Sequence, residues 1–128
     1  MNCKIYAKAD VNPTEDLDKF IKAISSVIEY DEIEVGENYI CANGDFETIK
    51  NLRDELRERK IRGAARKLMI KGSGPNKIRF NLSKQAAYAG MLNLVDDSLC
   101  ALGEIEVQIK TEDVKKFIDW IAPEIKKE

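Results

Sequence analysis

Residues 104–110 read EIEVQIK. Ile105, Val107 and Ile109 alternate with Glu104, Glu106, Gln108 and Lys110. A period of two puts the branched apolar side chains on one face of a strand and the polar ones on the other. Other stretches repeat the pattern. In CKIYAKA, residues 3–9, Cys3, Ile5, Ala7 and Ala9 oppose Lys4, Tyr6 and Lys8. Between Lys77 and Leu82, the inward residues are Ile78, Phe80 and Leu82. EIEVGENYICA, residues 32–42, predicts two short strands turning at Gly36-Glu37-Asn38. Strands with one wet face belong to antiparallel sheets, whose apolar side must be covered by something else.

The intervening segments supply the cover. In NPTED, Asn12 is the expected helix cap, Pro13 suits the first turn and Glu15 stands three residues after the cap. Leu17, Phe20, Ile21, Ile24 and Ile28 then recur at helical spacing. Asp45 opens a second helix striped by Phe46, Ile49, Leu52 and Leu56. Ile61, Ala64, Ala65, Leu68 and Met69 mark a third, with a break or bend expected around Gly63. GSGPN, residues 72–76, is a turn; Ser83 caps a short helix, KQAAYAG; and Val114, Phe117, Ile118 and Ile121 mark a last helix that stops at Pro123. About five strands thus interleave with four or five helices without a strict βαβ repeat. The expectation is one α+β domain over residues 1–128, a largely antiparallel sheet with helices packed on one face and the other face polar and open.

Composition narrows the function. At 128 residues the chain can bury a core without disulfide or metal. With 44% apolar and 34% charged residues it is too hydrophobic for a disordered chain. No apolar stretch approaches the roughly 18 residues of a membrane span. The amino terminus, MNCKIYAKAD, has no signal-peptide core, so a cytoplasmic location without membrane contact is expected. Cys3, Cys41 and Cys100 are scattered without a C-x-x-C pair and read as small core residues in a reducing compartment. The absence of histidine excludes Ser–His and Cys–His dyads and the commonest transition-metal ligand. No nucleophile–base set converges, so neither enzymatic activity nor a cofactor or metal is expected.

The net charge of −2 hides a strong asymmetry. From Lys50 to Lys84 there are twelve basic residues and three acidic ones, Asp54, Glu55 and Glu58, giving +9 and leaving −11 for the remainder. Lys50, Arg53, Arg57 and Lys60 are spaced three, four and three apart and line one helix stripe beside Leu52 and Leu56. Arg62 and Arg66 form an i, i+4 pair with Lys67 next to it, all off the Ile61/Ala65/Leu68 face. Guanidinium groups bind phosphate in bidentate fashion, and an asymmetry of this kind is the footprint of an anionic partner. The blander reading is a solvated face neutralised by acids that return in space.

Other motifs carry less. GSGP lacks the Lys and Ser/Thr of a phosphate loop. Asp96-Asp97 is a lone carboxylate pair, ordinary surface chemistry. Trp120 lies beside the last helix's apolar stripe and reads as core. Tyr6 and Tyr88 offer rings on which bases can stack, or equally half-buried packing.

Several stretches together resemble an archaeal family: VNPTED at 11–16, AARKLMIKG at 64–72, IRFNLSKQAAYAGMLNLVDD at 78–97, LGEIEVQI at 102–109 and IDWIAP at 118–123. In that order they are similar to uncharacterised protein family 0201, often grouped under a predicted RNA-binding heading. NPTED and NLSKQAAYAG are the specific parts. The resemblance implies a fold like that of the large-subunit ribosomal protein that contacts 5S rRNA, an α+β fold, and brings no catalytic residues.

The combined expectation is a non-catalytic RNA-binding protein that reads shape more than sequence. Arg53, Arg57, Lys60, Arg62, Arg66 and Lys67 are the expected phosphate contacts, with Arg79, Lys84 and Gln85 at the edge, the last two opening a short helix. The rival reading is an assembly module whose basic stripe meets an acidic surface, such as that of a second copy of the chain in a homodimer.

Overall fold

The structure is a computed structural model that describes residues 3–96 and 104–124. Among the described residues six strands form a single sheet: β1 (Cys3–Asp10), β2 (Glu32–Val35), β3 (Tyr39–Gly44), β4 (Lys77–Ser83), β5 (Leu94–Val95) and β6 (Glu104–Thr111). Their order is β2-β3-β1-β6-β4-β5, and every pairing is antiparallel. The EIEVQIK strand, β6, lies near the middle, between β1 and β4. Its register sets the core: Ile5 faces Ile109, which faces Ile78, and Ala7 faces Val107, which faces Phe80. These side chains are all buried.

Five helices among the described residues complete the α+β fold: α1 (Leu17–Val27), α2 (Phe46–Glu58), α3 (Arg62–Lys71), α4 (Lys84–Tyr88) and α5 (Val114–Ile121). Each longer helix sends its apolar stripe into the same core cluster as the strands: Phe20 and Ile24 from α1, Ile49, Leu52 and Leu56 from α2, Ala65 and Met69 from α3, Phe117, Ile118 and Ile121 from α5. Full burial of one such large side chain is worth about 1.5–3 kcal/mol. The alternate residues of the central strands, Lys4, Tyr6 and Lys8 on β1, Glu104 to Lys110 on β6, and Lys77 and Arg79 on β4, are exposed or half-exposed on the sheet's other face. The sheet is therefore covered on one side and open on the other, as the alternation requires.

Local starts and stops differ from expectation in instructive ways. The first helix begins at Leu17, and its cap is Asp16, whose carboxylate accepts from the amides of Asp18 and Lys19. The box read at Asn12 exists in part, since Glu15 accepts from the Asn12 amide and the Glu15 amide donates to the Asn12 carbonyl, but it closes a turn before the helix. The break between the second and third helices falls at Lys60, the one non-glycine residue with positive φ (57°) among the described residues. Gly63 sits exposed inside α3, and Ala64 is exposed beside it. Gly72 follows α3 where the chain turns back along β4: a Cβ there would collide with the Arg79 carbonyl, which belongs to the residue whose amide donates to the Gly72 carbonyl. Cys3 is buried, whereas Cys41 is half-exposed because it occupies an outward position of β3; Cys100 and Asp97 lie outside the described residues. Asp96 accepts from Lys71. No helix among the described residues is long and apolar enough to cross a membrane.

Candidate functional site

The sequence-predicted basic residues separate into distinct environments. Arg53 lies half-buried on α2 with its guanidinium 4.9 Å from the Trp120 ring centre, and its Nε donates to the Trp120 carbonyl at 2.9 Å. Trp120, half-buried rather than enclosed, is held between Phe46 and Phe117. Arg66 on α3 donates to Asp119 at 2.8 Å and to the Ala122 carbonyl at 3.2 Å, with only 20% of its side chain exposed. Both arginines thus clamp the basic helices to α5. Acidic residues return in space here, as the blander reading of the charge run anticipated, but only for part of the run.

The exposed members are Arg57, Lys60 and Lys67, joined by the half-exposed Arg62. Arg57 approaches Asp54 at 3.8 Å across one helical turn, a loose surface pair. Lys60, Arg62 and Lys67 form no ion pair among the described residues. Lys60 stands at the tip of the α2–α3 junction, and Lys67 projects away from the Ala65/Met69 face. Arg79 does not join them: it lies on the open face of the sheet, 3.7 Å from Glu106.

Lys84 is in a different situation. It is fully buried, and its ammonium donates to the Asp10 carbonyl at 2.6 Å and to Glu15 Oε1 at 2.9 Å, 4.6 Å from the Phe20 ring centre. It has no route to a phosphate in solvent. Gln85, its neighbour on α4, is exposed. Tyr88, one turn further on, donates to Glu15 Oε2 at 2.5 Å. Burial alone would raise the Glu15 pKa, but hydrogen bonds from Tyr88, the Asn12 amide and Lys84, with the Lys84 charge, outweigh it and hold the carboxyl below its ordinary value. The Tyr88 phenol is pushed well up, by burial first and then by its bond to Glu15. The cluster ties the loop before α1 to α4. It joins the two most specific parts of the family resemblance, Glu15 from NPTED and Lys84 with Tyr88 from NLSKQAAYAG.

No group of three or more Cys, Asp or Glu side chains able to hold a metal ion occurs among the described residues.

A family model described as RNA binding matches residues 4–111. The chain belongs to this family. A UPF0201 protein of Methanothermobacter thermautotrophicus is 36% identical over 122 residues, covering 95% of this chain and 92% of its own length. A UPF0201 protein of Aeropyrum pernix is 35% identical over 94% of this chain and 85% of its own. Among solved structures, the UPF0201 protein from Methanococcus jannaschii superposes with a TM-score of 0.77 at 36% identity, covering 96% of this chain and 95% of its own. A second UPF0201 crystal structure reaches 0.83 at 29% identity, covering 98% and 97%. The UPF0201 resemblance read from NPTED and NLSKQAAYAG therefore holds over nearly the whole chain. The names of these relatives carry no catalytic activity.

Proposed function

We propose that this protein binds RNA without transforming it, through phosphate contacts made by Arg57, Lys60, Arg62 and Lys67 on the helical layer, with the exposed Gln85 on α4 as a further polar contact. The observation that carries the reading is the set of exposed cations around the α2–α3 junction, of which Lys60, Arg62 and Lys67 lack an ion-pair partner among the described residues. The family description as RNA binding supports it. Arg53, Arg66 and Lys84 serve the fold in this proposal, because their donors are already engaged.

The test is fluorescence anisotropy with mixed RNA on protein freed of nucleic acid, across a salt series. If four phosphates are engaged, the log–log slope of affinity against salt is about −2.8 on single strands. Changing Lys60, Arg62 and Lys67 together to Glu is expected to leave the fold intact and to weaken every RNA alike, since phosphate contacts carry no direct sequence information. Absence of RNA binding by the wild type at low salt would sink the proposal. A folded triple variant that binds RNA normally but sediments differently would transfer the surface to self-assembly.

A further inference from the structure

The open face of the sheet holds a second basic feature, and only the strand register reveals it. Lys4 on β1 pairs with Lys110 on β6, and Lys110 pairs with Lys77 on β4. Three exposed lysines from three adjacent strands therefore form one cross-strand row. Like charges directly opposite one another destabilise a sheet. Neither Lys4 nor Lys77 forms an ion pair among the described residues, and the Lys110 ammonium rests 5.4 Å from the Tyr6 ring centre. At the strand ends the three lysines line a depression of about 760 Å³ together with Cys3, Asn76, Thr111 and Glu112. Lys4 also borders a depression shared with Asp31, Glu32 and Asp45, without an ion pair to any of them.

The next row along the same face has different chemistry. Glu32, Asn43, Tyr6, Gln108 and Arg79 stand side by side on β2, β3, β1, β6 and β4. It offers an aromatic ring, two amides that can donate and accept, and a guanidinium held near Glu106. Beyond it the sign reverses: Glu106 lies opposite Lys8, and Asp10 and Glu104 end their strands. Along β1, β6 and β4 the face thus runs from cationic, through aromatic and amide, to largely acidic, while Asp31, Glu32 and Asp45 add carboxylates at the β2–β3 side.

We propose that this face binds a single-stranded segment of RNA, its phosphates on the Lys4–Lys110–Lys77 row and its bases on the Tyr6 row. This rests on the RNA-binding reading above and adds a second surface to it. Strands lie about 4.8 Å apart, so the row spans roughly 10 Å across three strands. An unpaired base offers a stacking face that a duplex hides, which is why a ring beside a cationic track favours single strands. The acidic end repels phosphate and fixes which side of the face the backbone takes. A phosphate on the row also draws Lys110 away from the Tyr6 ring, freeing that ring for a base.

The experiment compares three proteins: wild type, the sheet variant Lys4→Gln/Lys77→Gln/Lys110→Gln, and the helical variant Lys60→Gln/Arg62→Gln/Lys67→Gln. Probes are a twelve-nucleotide oligouridylate, a twelve-base-pair RNA duplex and tripolyphosphate. The sheet variant is expected to lose tenfold or more on oligouridylate and to lower its salt slope by about 2. Tyr6 ring resonances should shift on oligouridylate and not on tripolyphosphate. The proposal is overturned if the folded sheet variant binds oligouridylate as wild type does. It is also overturned if wild type binds only the duplex, or if tripolyphosphate reproduces the Tyr6 shift, which marks an anion site without base contact. Loss confined to the helical variant sinks this proposal and leaves the earlier one standing; loss confined to the sheet variant does the reverse. Binding of neither RNA by wild type removes both.

Discussion

Lys84 and Lys77 lie seven residues apart in the same basic segment, yet they occupy opposite electrostatic worlds. Lys77 stands at the outward start of β4 with no ion pair among the described residues. Lys84 is sealed under the loop before α1, with a carbonyl and a carboxylate at hydrogen-bond distance. A charge count weighs them equally. A buried cation is tolerable only when its partners replace its lost hydration, whereas an exposed one keeps its water and costs little until a ligand arrives. The lesson extends to the helices, where Arg53 and Arg66 resemble Lys84 and Lys60 and Lys67 resemble Lys77. Cations whose donors are engaged at close range hold the fold; solvated ones, including the loosely paired Arg57, keep donors open to an anionic ligand.

The sharpest way to break this comparison is Lys84→Met, which leaves Glu15 buried beside an apolar side chain. Removing one member of a buried pair costs about 3–5 kcal/mol, so chemical denaturation should show a loss of that size. The pH dependence should change with it. The folded Glu15 carboxyl lies below its ordinary value of 4.5, so its contribution is present above that pH and fades as pH falls through the lower folded value. Tyr88 is raised above its ordinary 10.0, so its contribution is complete below pH 10 and is lost only at more alkaline pH. Wild type should therefore be at full strength between these limits with respect to this cluster. The Lys84→Met acid limb should begin at higher pH, because the carboxyl has lost the cation that favoured ionisation. A variant as stable as wild type would show the buried pair to be dispensable.

Arg66 and Lys67 test the same idea between adjacent residues. Arg66→Glu removes charge-assisted bonds to Asp119 and the Ala122 carbonyl and sets a carboxylate against Asp119. A loss of about 1–3 kcal/mol is expected. Lys67→Glu should stay within about 0.5 kcal/mol of wild type, since Lys67 is exposed and forms no ion pair among the described residues. Equal effects at both positions would dissolve the distinction between clamping and solvated cations.

The strands were legible in the sequence because Ile105, Val107 and Ile109 can be buried in only one way, and a slip of one residue would turn them all to water. Their open face followed from the same alternation. The cap at Asp16 was missed because Asn12 and Glu15 do bond as a box; only the chain's path shows that the helix waits for Leu17. β5 was missed because two residues, Leu94 and Val95, carry no period. The +9 segment was visible, but its division was not. Asp119 and Trp120, which hold Arg66 and Arg53, lie more than fifty residues away, and so does Glu15 from Lys84. The burial of Lys84 does carry a sequence signal: continuing the alternation of Ile78, Phe80 and Leu82 by two residues puts position 84 on the inward side. The lysine row was invisible, since residues 4, 77 and 110 meet only through pairings of β1, β6 and β4.

That row gives the smallest predicted effect. Lys77→Gln removes one of two like-charge neighbours of Lys110 while keeping a long polar side chain at an exposed strand position. Cross-strand charge terms are worth about 0.2–1 kcal/mol, and ammonium groups on flexible stems spread apart in water, so the gain should fall at the low end. Lys77 is the informative position because it has no ring contact among the described residues to lose; at Lys110 the Tyr6 contact would oppose the gain. The stabilisation should appear at low ionic strength and vanish near 1 M salt, where screening reaches about 3 Å. The same substitution at Lys67, which has no cross-strand lysine, should show neither the gain nor its salt dependence. A Lys77→Gln protein with unchanged stability at every salt concentration would mean that the ammonium groups do not crowd one another. The row would then be three separate surface lysines, and its attraction for a phosphate backbone would rest on each alone.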